Sequence, residues 1–165
     1  MLDNFKIFLI AALILSNSLL YAENLDRDKP VFLESDSAKW DEATQRSTYR
    51  GNVIVTQGTI LLTGDLLIVT SKNNTINTME MSGNKATYKQ KTDSGKIVNG
   101  EAKKIQYYLE SSKIIFLKQA ILVQSNNTVK SNKIIYMTDN ENIIAGDDED
   151  NSRVKMTLEP KKNNE

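Results

Sequence analysis

The sequence predicts an all-β domain of repeated short strands, a sandwich, barrel or solenoid, behind an export leader. Three observations predict it. Segments rich in Ile, Val, Leu, Thr and Tyr recur between clusters of Gly, Asn, Asp and Ser, which is strand-and-turn chemistry. No window keeps an apolar 3.6-residue period for three turns, so no amphipathic helix competes. Related segments also return about every 30–35 residues, as expected where stacked units must bury a face that one unit alone cannot.

The leader comes first. Lys6 and the amino terminus supply positive charge, an apolar run extends from Ile7 to Leu15, and Ser16-Asn17-Ser18 then Leu19-Leu20-Tyr21-Ala22 precede Glu23. This is signal-peptide layout, and residues 1–22 are expected to be removed, with Ala22 favoured over Ser18 as the cleavage position. A retained anchor is the alternative; the stretch is interrupted and short for a bilayer span. Residues 23–160 form the expected domain. The two prolines, Pro30 and Pro160, bracket its strands, and 161–165 reads as a polar, disordered tail.

Within the domain the expected strands are 31–35, 46–49, 53–57, 59–63, 66–70, 75–82, 86–91, 97–98, 104–110, 113–117, 120–124, 128–130, 133–137, 142–145 and 153–158. Turns are expected at Gly51-Asn52, Gly58, Gly64-Asp65, Asn73-Asn74, Gly83-Asn84, Asp93-Ser94-Gly95, Asn99-Gly100, Asn126-Asn127 and Asp139-Asn140, each rich in residues that tolerate tight backbone geometry. The recurrence aligns Gln57, Gln90 and Gln124, spaced 33 and 34 residues apart. A second element pairs a small residue with an acidic or amide one, at Asp36, Asp65, Glu101 and Asn132. These four read as turn formers rather than catalytic groups.

Composition narrows the chemistry. The 165 residues contain no cysteine and no histidine. Thiol catalysis, disulfides and imidazole-based triads are therefore excluded, as are Cys/His zinc sites. Lys+Arg and Asp+Glu both number 21, without the basic excess of a nucleic-acid binder. The Gly58–Gly64 region lacks the Gly-Lys-Ser/Thr of a nucleotide cradle. Asp147-Asp148-Glu149-Asp150 does not alternate ligands as calcium loops do and reads as a solvated acidic turn. No enzyme, cofactor or metal is expected.

Period-two alternation assigns the faces. Inward positions are Val31 and Leu33; Ile60 and Leu62; Leu67 and Val69; Tyr88; Ile105, Tyr107 and Leu109; Leu122; Ile134 and Tyr136; and Val154, Met156 and Leu158. Without its leader the chain is only about one-third apolar, low for a thick core. The inward residues fit either a dry sandwich core or two sheets held apart around an apolar ligand.

Several segments together resemble the OstA-like family of periplasmic lipopolysaccharide-transport proteins. They are Pro30-Val-Phe-Leu-Glu-Ser-Asp36, Tyr49-Arg-Gly-Asn-Val-Ile-Val-Thr-Gln-Gly-Thr-Ile60, Gly83-Asn-Lys-Ala-Thr-Tyr-Lys-Gln90, Asp93-Ser-Gly-Lys96, Gly100-Glu-Ala102, Lys130-Ser-Asn-Lys-Ile134 and Arg153-Val154. The resemblance implies a V-shaped jellyroll, open at both ends, whose apolar groove takes the acyl chains of lipid A. It implies lipid contact at Val31, Tyr88, Tyr107 and Leu109, a role extended to the inward residues Leu33, Ile60, Leu62, Leu67, Val69, Ile105, Leu122, Ile134, Tyr136 and Met156. It also implies head-to-tail homo-oligomers between an inner-membrane ABC-exporter complex with its bitopic anchor and the N-terminal domain of an outer-membrane translocon. The pairing edges would be Val31, Phe32, Leu33 and Glu34 at one end and Arg153, Val154, Met156 and Leu158 at the other, since unpaired strands recruit partners. The location expected is the periplasm. A membrane-anchored paralogue of the export system and a cargo-free β-filament protein are the alternatives.

Overall fold

The computed structural model describes residues 26–146 and 152–160. The expected leader, the acidic run at 147–150 and the tail after 160 lie outside the described residues. Ten strands form one antiparallel sheet. They are β1 (Val31–Glu34), β2 (Ser37–Asp41), β3 (Arg46–Gln57), β4 (Ile60–Lys72), β5 (Thr75–Lys91), β6 (Ile97–Tyr108), β7 (Lys113–Gln124), β8 (Asn127–Met137), β9 (Ile143–Ala145) and β10 (Lys155–Thr157). A single 3-10 turn, Asp26–Asp28, precedes β1. The sheet runs β1-β3-β4-β5-β6-β7-β8-β10, with β2 also on β3 and β9 also on β8.

The long central strands correct the expected segmentation. Segments expected as separate short strands join pairwise into β3 to β8. Turns do form at Gly58, at Asn73-Asn74 and at 92–96. Asn73 and Asn74 both have positive φ, 52° and 61°, as a tight hairpin requires. Gly51-Asn52, Gly64-Asp65 and Gly83-Asn84 are not turns. They lie inside strands, where the register shifts between Arg50 and Val53, Thr63 and Leu66, and Ser82 and Ala86. Asn99-Gly100 is likewise within β6. Further shifts fall between Glu101 and Lys104 and between Leu117 and Ala120. These bulges add residues to a strand and bend it, and they line up across the sheet as a crease. Sequence reads them as turns because Gly, Asn and Asp suit both.

The crease divides the sheet into two leaves. Leaf one holds β1, β10 and the parts of β3 to β8 around residues 53–63, 86–101 and 120–131. Leaf two holds β2, β9 and the parts around 46–50, 66–82, 104–117 and 133–137. β2 was missed at the level of sequence because its pattern, Ser-Ala-Lys-Trp-Asp, is exposed throughout and carries no alternation. The bulges also reset the inward parity. On β4, Ile60 and Leu62 precede Leu67 and Val69; on β8, Val129 and Ser131 precede Ile134 and Tyr136. An added residue thus keeps the apolar face inward through the bend.

The four expected turn formers sit on this crease. Asn52 Nδ2 donates to Asp36 Oδ2 at 2.9 Å, and the Asn84 N–H donates to Asp65 Oδ2 at 3.1 Å. Glu101 pairs with Lys85 at 2.8 Å. Asn132 lies at the matching bend of β8. The acidic repeat therefore braces bulges of neighbouring strands instead of closing turns.

Candidate functional site

The inner faces of the two leaves meet. Tyr88 on leaf one packs edge-on against Phe116 and Tyr136 of leaf two, with ring centroids 5.7 and 6.2 Å away. Gly100 makes room for this contact, since a Cβ there would lie 2.3 Å from the Phe116 ring. Of the inward positions expected from alternation, Ile60, Leu62, Leu67, Val69, Tyr88, Ile105, Tyr107, Leu122, Ile134 and Tyr136 are buried in one cluster. Val31, Leu33 and Leu109 are half-buried against it. Alternation did not single out Val53, Val55, Met79, Met81, Ile114 and Phe116, which belong to the cluster together with Ala86, Val98, Ala102, Ala120 and Val129. In Ile114-Ile-Phe-Leu117 both faces are apolar, so the pattern alone does not choose.

Of the two arrangements open to the inward residues the interior shows the packed core, and not the open groove that the resemblance implies. Tyr88 and Tyr107 are each 1% exposed, so the chain's own side chains occupy the space between the leaves. Apolar surface held apart around water would be costly, and the two inner faces pack directly on each other. Solvent reaches the cluster's margin at a cleft of about 720 Å³, where Ile76 and Leu109 meet Arg27, Asp28, Lys72 and Glu110.

Few polar groups enter this interior. The Tyr88 hydroxyl donates to Gln90 Oε1 at 2.6 Å, while Gln57 Nε2 donates to the carbonyls of Arg27 and Lys29 at 2.9 and 3.1 Å. Gln57 Oε1 and the hydroxyls of Tyr107 and Tyr136 are buried without a hydrogen-bond partner among the described residues. Burial pushes the Tyr107 phenol up to about 12, with the Asp26 carboxylate reinforcing the rise and Arg27 opposing it. Burial also raises Tyr88 and Tyr136. All three stay neutral phenols and offer no base. Among the described residues no group of three or more acidic, cysteine or histidine side chains could hold a metal.

At the ends the strands expected to be edges are edges. β1 and β2 pair only with β3, and β9 and β10 only with β8. Val31 and Leu33 share the inner face with Gln57 and Val55, whereas Phe32 and Glu34 point to the outer face and Phe32 is 64% exposed. Met156 sits opposite buried Val129 and so takes the inner face, but nothing covers it and it is 57% exposed. Val154 and Leu158 are exposed as well, and the strand carrying Met156 is shorter than expected, with Arg153 outside it. The inward assignment of these three thus fails as burial, because the outermost strand has no neighbour to close over it. Trp40, which sequence did not single out, mirrors Met156 at the other end: it pairs with buried Ser47 and is 52% exposed.

Comparison with known proteins matches this arrangement. A family model described as LptA/(LptD N-terminal domain) LPS transport protein matches residues 33–142. Lipopolysaccharide export system protein LptH of Pseudomonas aeruginosa is 31% identical over 156 residues, spanning 90% of this chain and 89% of that one. Lipopolysaccharide export system protein LptA of Escherichia coli K12 is 33% identical, spanning 90% and 84%. The crystal structure of LptH, described as the LptA-homologous periplasmic component of the lipopolysaccharide transport device of P. aeruginosa, superposes with a TM-score of 0.77 at 28% identity, covering 82% of this chain and 99% of that one. With the family model spanning most of the sheet and the crease, leaves and edges accounted for in one fold, the chain belongs to the LptA/LptD N-terminal-domain family of LPS transport proteins, a non-enzymatic family.

Proposed function

We propose that the chain is a periplasmic carrier that shelters the acyl chains of lipid A between its two leaves and stacks head to tail with its own kind, and with related domains of the export machinery, to span the space between membranes. One observation carries the reading. Both ends of the sheet leave inner-face apolar residues, Trp40 at one and Met156 at the other, exposed beside unpaired strands. A second copy docked edge to edge would extend the apolar interior across the junction. Such a contact is heterologous and propagates rather than closes.

The energetics favour a sheltered route. Each acyl methylene gains about 0.8 kcal/mol on burial, so a twelve-carbon chain loses on the order of 10 kcal/mol if released into water. Apolar burial is non-directional, so a lining of Ile, Leu, Val, Met and aromatic side chains resists sliding little. No nucleotide cradle was found in the sequence, and the driving energy is assigned to the inner-membrane exporter.

Photo-crosslinking tests the interior. Cross-linkers at Tyr88 and Tyr107 should capture lipopolysaccharide, while those at Lys104 and Gln106, both bonded to Glu80 on the outer face, should not. Capture at the outer pair alone would overturn the reading. Light scattering tests the stacking. Met156→Pro should abolish concentration-dependent growth of oligomers while preserving the monomer's circular dichroism, and undiminished oligomers would remove Met156 from the junction.

A further inference from the structure

Charge is sorted over the sheet. Most of the described acidic side chains lie in turns or on the crease, whereas the outer face of leaf two is basic. Three rungs of paired residues cross that face, from Lys39 to Ile144, from Asp41 to Met137 and from Ser37 to Lys133. The rungs carry six cations, Lys39, Arg46, Arg50, Lys104, Lys113 and Lys133, against two carboxylates, Asp41 and Glu80. Both carboxylates are engaged locally. Glu80 accepts from Lys104 Nζ at 2.8 Å and Gln106 Nε2 at 2.9 Å, and Asp41 Oδ1 accepts from the Thr44 N–H at 3.1 Å. Lys39, Arg46 and Arg50 are exposed and make no ion pair among the described residues. The first rung ends in three neighbouring isoleucines, Ile115, Ile135 and Ile144, of which Ile144 is 60% exposed. On one flank of this row Lys113 lies over the Tyr108 ring, 4.7 Å from its centroid. Lys133 stands on the other flank.

We propose that the outer face of leaf two docks the protein on an anionic phospholipid surface, with the isoleucine row entering the interface and the cations at the level of the phosphates. The eight strands that the longest rung crosses, spaced about 4.8 Å apart, make a face on the order of 30 Å wide. Cations spread from end to end of such a face suit a charge that is itself spread over a surface. An acidic protein would have to match those positions point by point, whereas fluid headgroups rearrange to meet them. A single exposed isoleucine means little, but three side by side form a contiguous apolar stripe. A stripe flanked by cations is the arrangement of interfacial elements: the apolar side chains reach past the headgroups, while Lys and Arg stems lie along the apolar boundary and keep their charges in water. Leaf one and the interior stay away from the bilayer in this pose, so the inference does not depend on what the interior holds.

Co-sedimentation with vesicles tests the docking, using the chain purified after export. Parent and variants share one amino terminus, so whatever that end contributes cancels. Vesicles of phosphatidylcholine mixed with phosphatidylglycerol should bind the parent roughly tenfold more tightly than phosphatidylcholine alone. Lys39→Gln, Arg46→Gln and Arg50→Gln together should remove most of that preference. The matching variant on the outer face of leaf one, Lys89→Gln, Lys130→Gln and Lys155→Gln, loses the same charge but should weaken binding by less than about twofold, because that face lies beyond the Debye length of about 10 Å at 0.1 M salt. Ile144→Ser should weaken binding roughly fivefold by removing an inserted side chain. All seven positions are exposed, so the fold is retained. Equal binding to the two kinds of vesicle, or equal losses from the two triple variants, would overturn the proposal. Full competition by soluble polyglutamate, together with an unchanged affinity for Ile144→Ser, would assign the face to an acidic protein and overturn it as well.

Discussion

The crease and the seam close the same interior by opposite means. At the crease, closure is covalent, and side chains only set the angle: Asp36 against Gly51 and Asn52, Asp65 against Asn84, Glu101 against Lys85. At the seam opposite the crease, polar side chains reach across, Glu141 of leaf two accepting from Lys96, Ser94 and Gln124 of leaf one, above the apolar packing of Tyr88 against Phe116 and Tyr136. A sheet folded this way has one side joined by continuous backbone and one joined by side chains alone, polar at the rim and apolar beneath. The difference shows how a single meandering sheet folds over on itself and buries one face.

The largest effect should come from the interior that both sides share. Phe116 is fully buried and meets Tyr88 edge-on, so Phe116→Ala should cost about 3–5 kcal/mol in urea unfolding; a loss below about 1 kcal/mol would mean that the leaves are not mutually packed. Next comes the crease. Gly51 has a φ of +80°, and a Cβ there would stand 2.2 Å from Asp36 Oδ2. Gly51→Ala should therefore cost about 1–3 kcal/mol, whereas Gly95→Ala, in a turn with nothing within 4 Å, should show backbone strain alone and a smaller loss.

At the seam the sensitive variable is pH. The Lys96 ammonium and the Ser94 hydroxyl hold the Glu141 carboxyl at about 2, against an ordinary 4.5, despite some opposing burial. Because the folded value lies below the unfolded one, the stabilisation is complete above 4.5 and drains away as pH falls towards 2. Stability of the native chain minus that of Glu141→Gln should shrink across that window and be flat above it. A difference that persists at pH 2 would mean that the carboxylate charge is not what fastens the seam. The smallest effect belongs to Lys85 and Glu101, whose ammonium is 69% exposed; a double-mutant cycle should give less than about 1 kcal/mol, and a larger coupling would mean that the crease is braced by charge rather than by backbone.

Much of this was legible before any coordinates. The alternation of Ile60 and Leu62, of Leu67 and Val69 and of Ile105 and Tyr107 fixed their inward face locally, and the burial agrees. The recurrence through Gln57, Gln90 and Gln124 marked leaf one's tips: Gln57 and Gln90 both bond residues 26–29, and Gln124 bonds Glu141. Bulge and turn were indistinguishable at Gly51, Gly64 and Gly83, because the same residues serve both and only the pairing strand tells them apart. The exposure of Met156 was not readable either, since inward alternation does not say whether a neighbour covers the strand.

What the sequence determined by itself is most of the strand content, the inward face of the clearly alternating segments and the absence of thiol and imidazole chemistry, because these depend on side-chain type and two-residue period. What only the tertiary structure decided is that the strands are continuous through a crease, that the interior closes on itself, and that Asp26 and Glu141 meet partners as far as 64 residues away along the chain. Those depend on which strands lie side by side, and no local pattern encodes that distance.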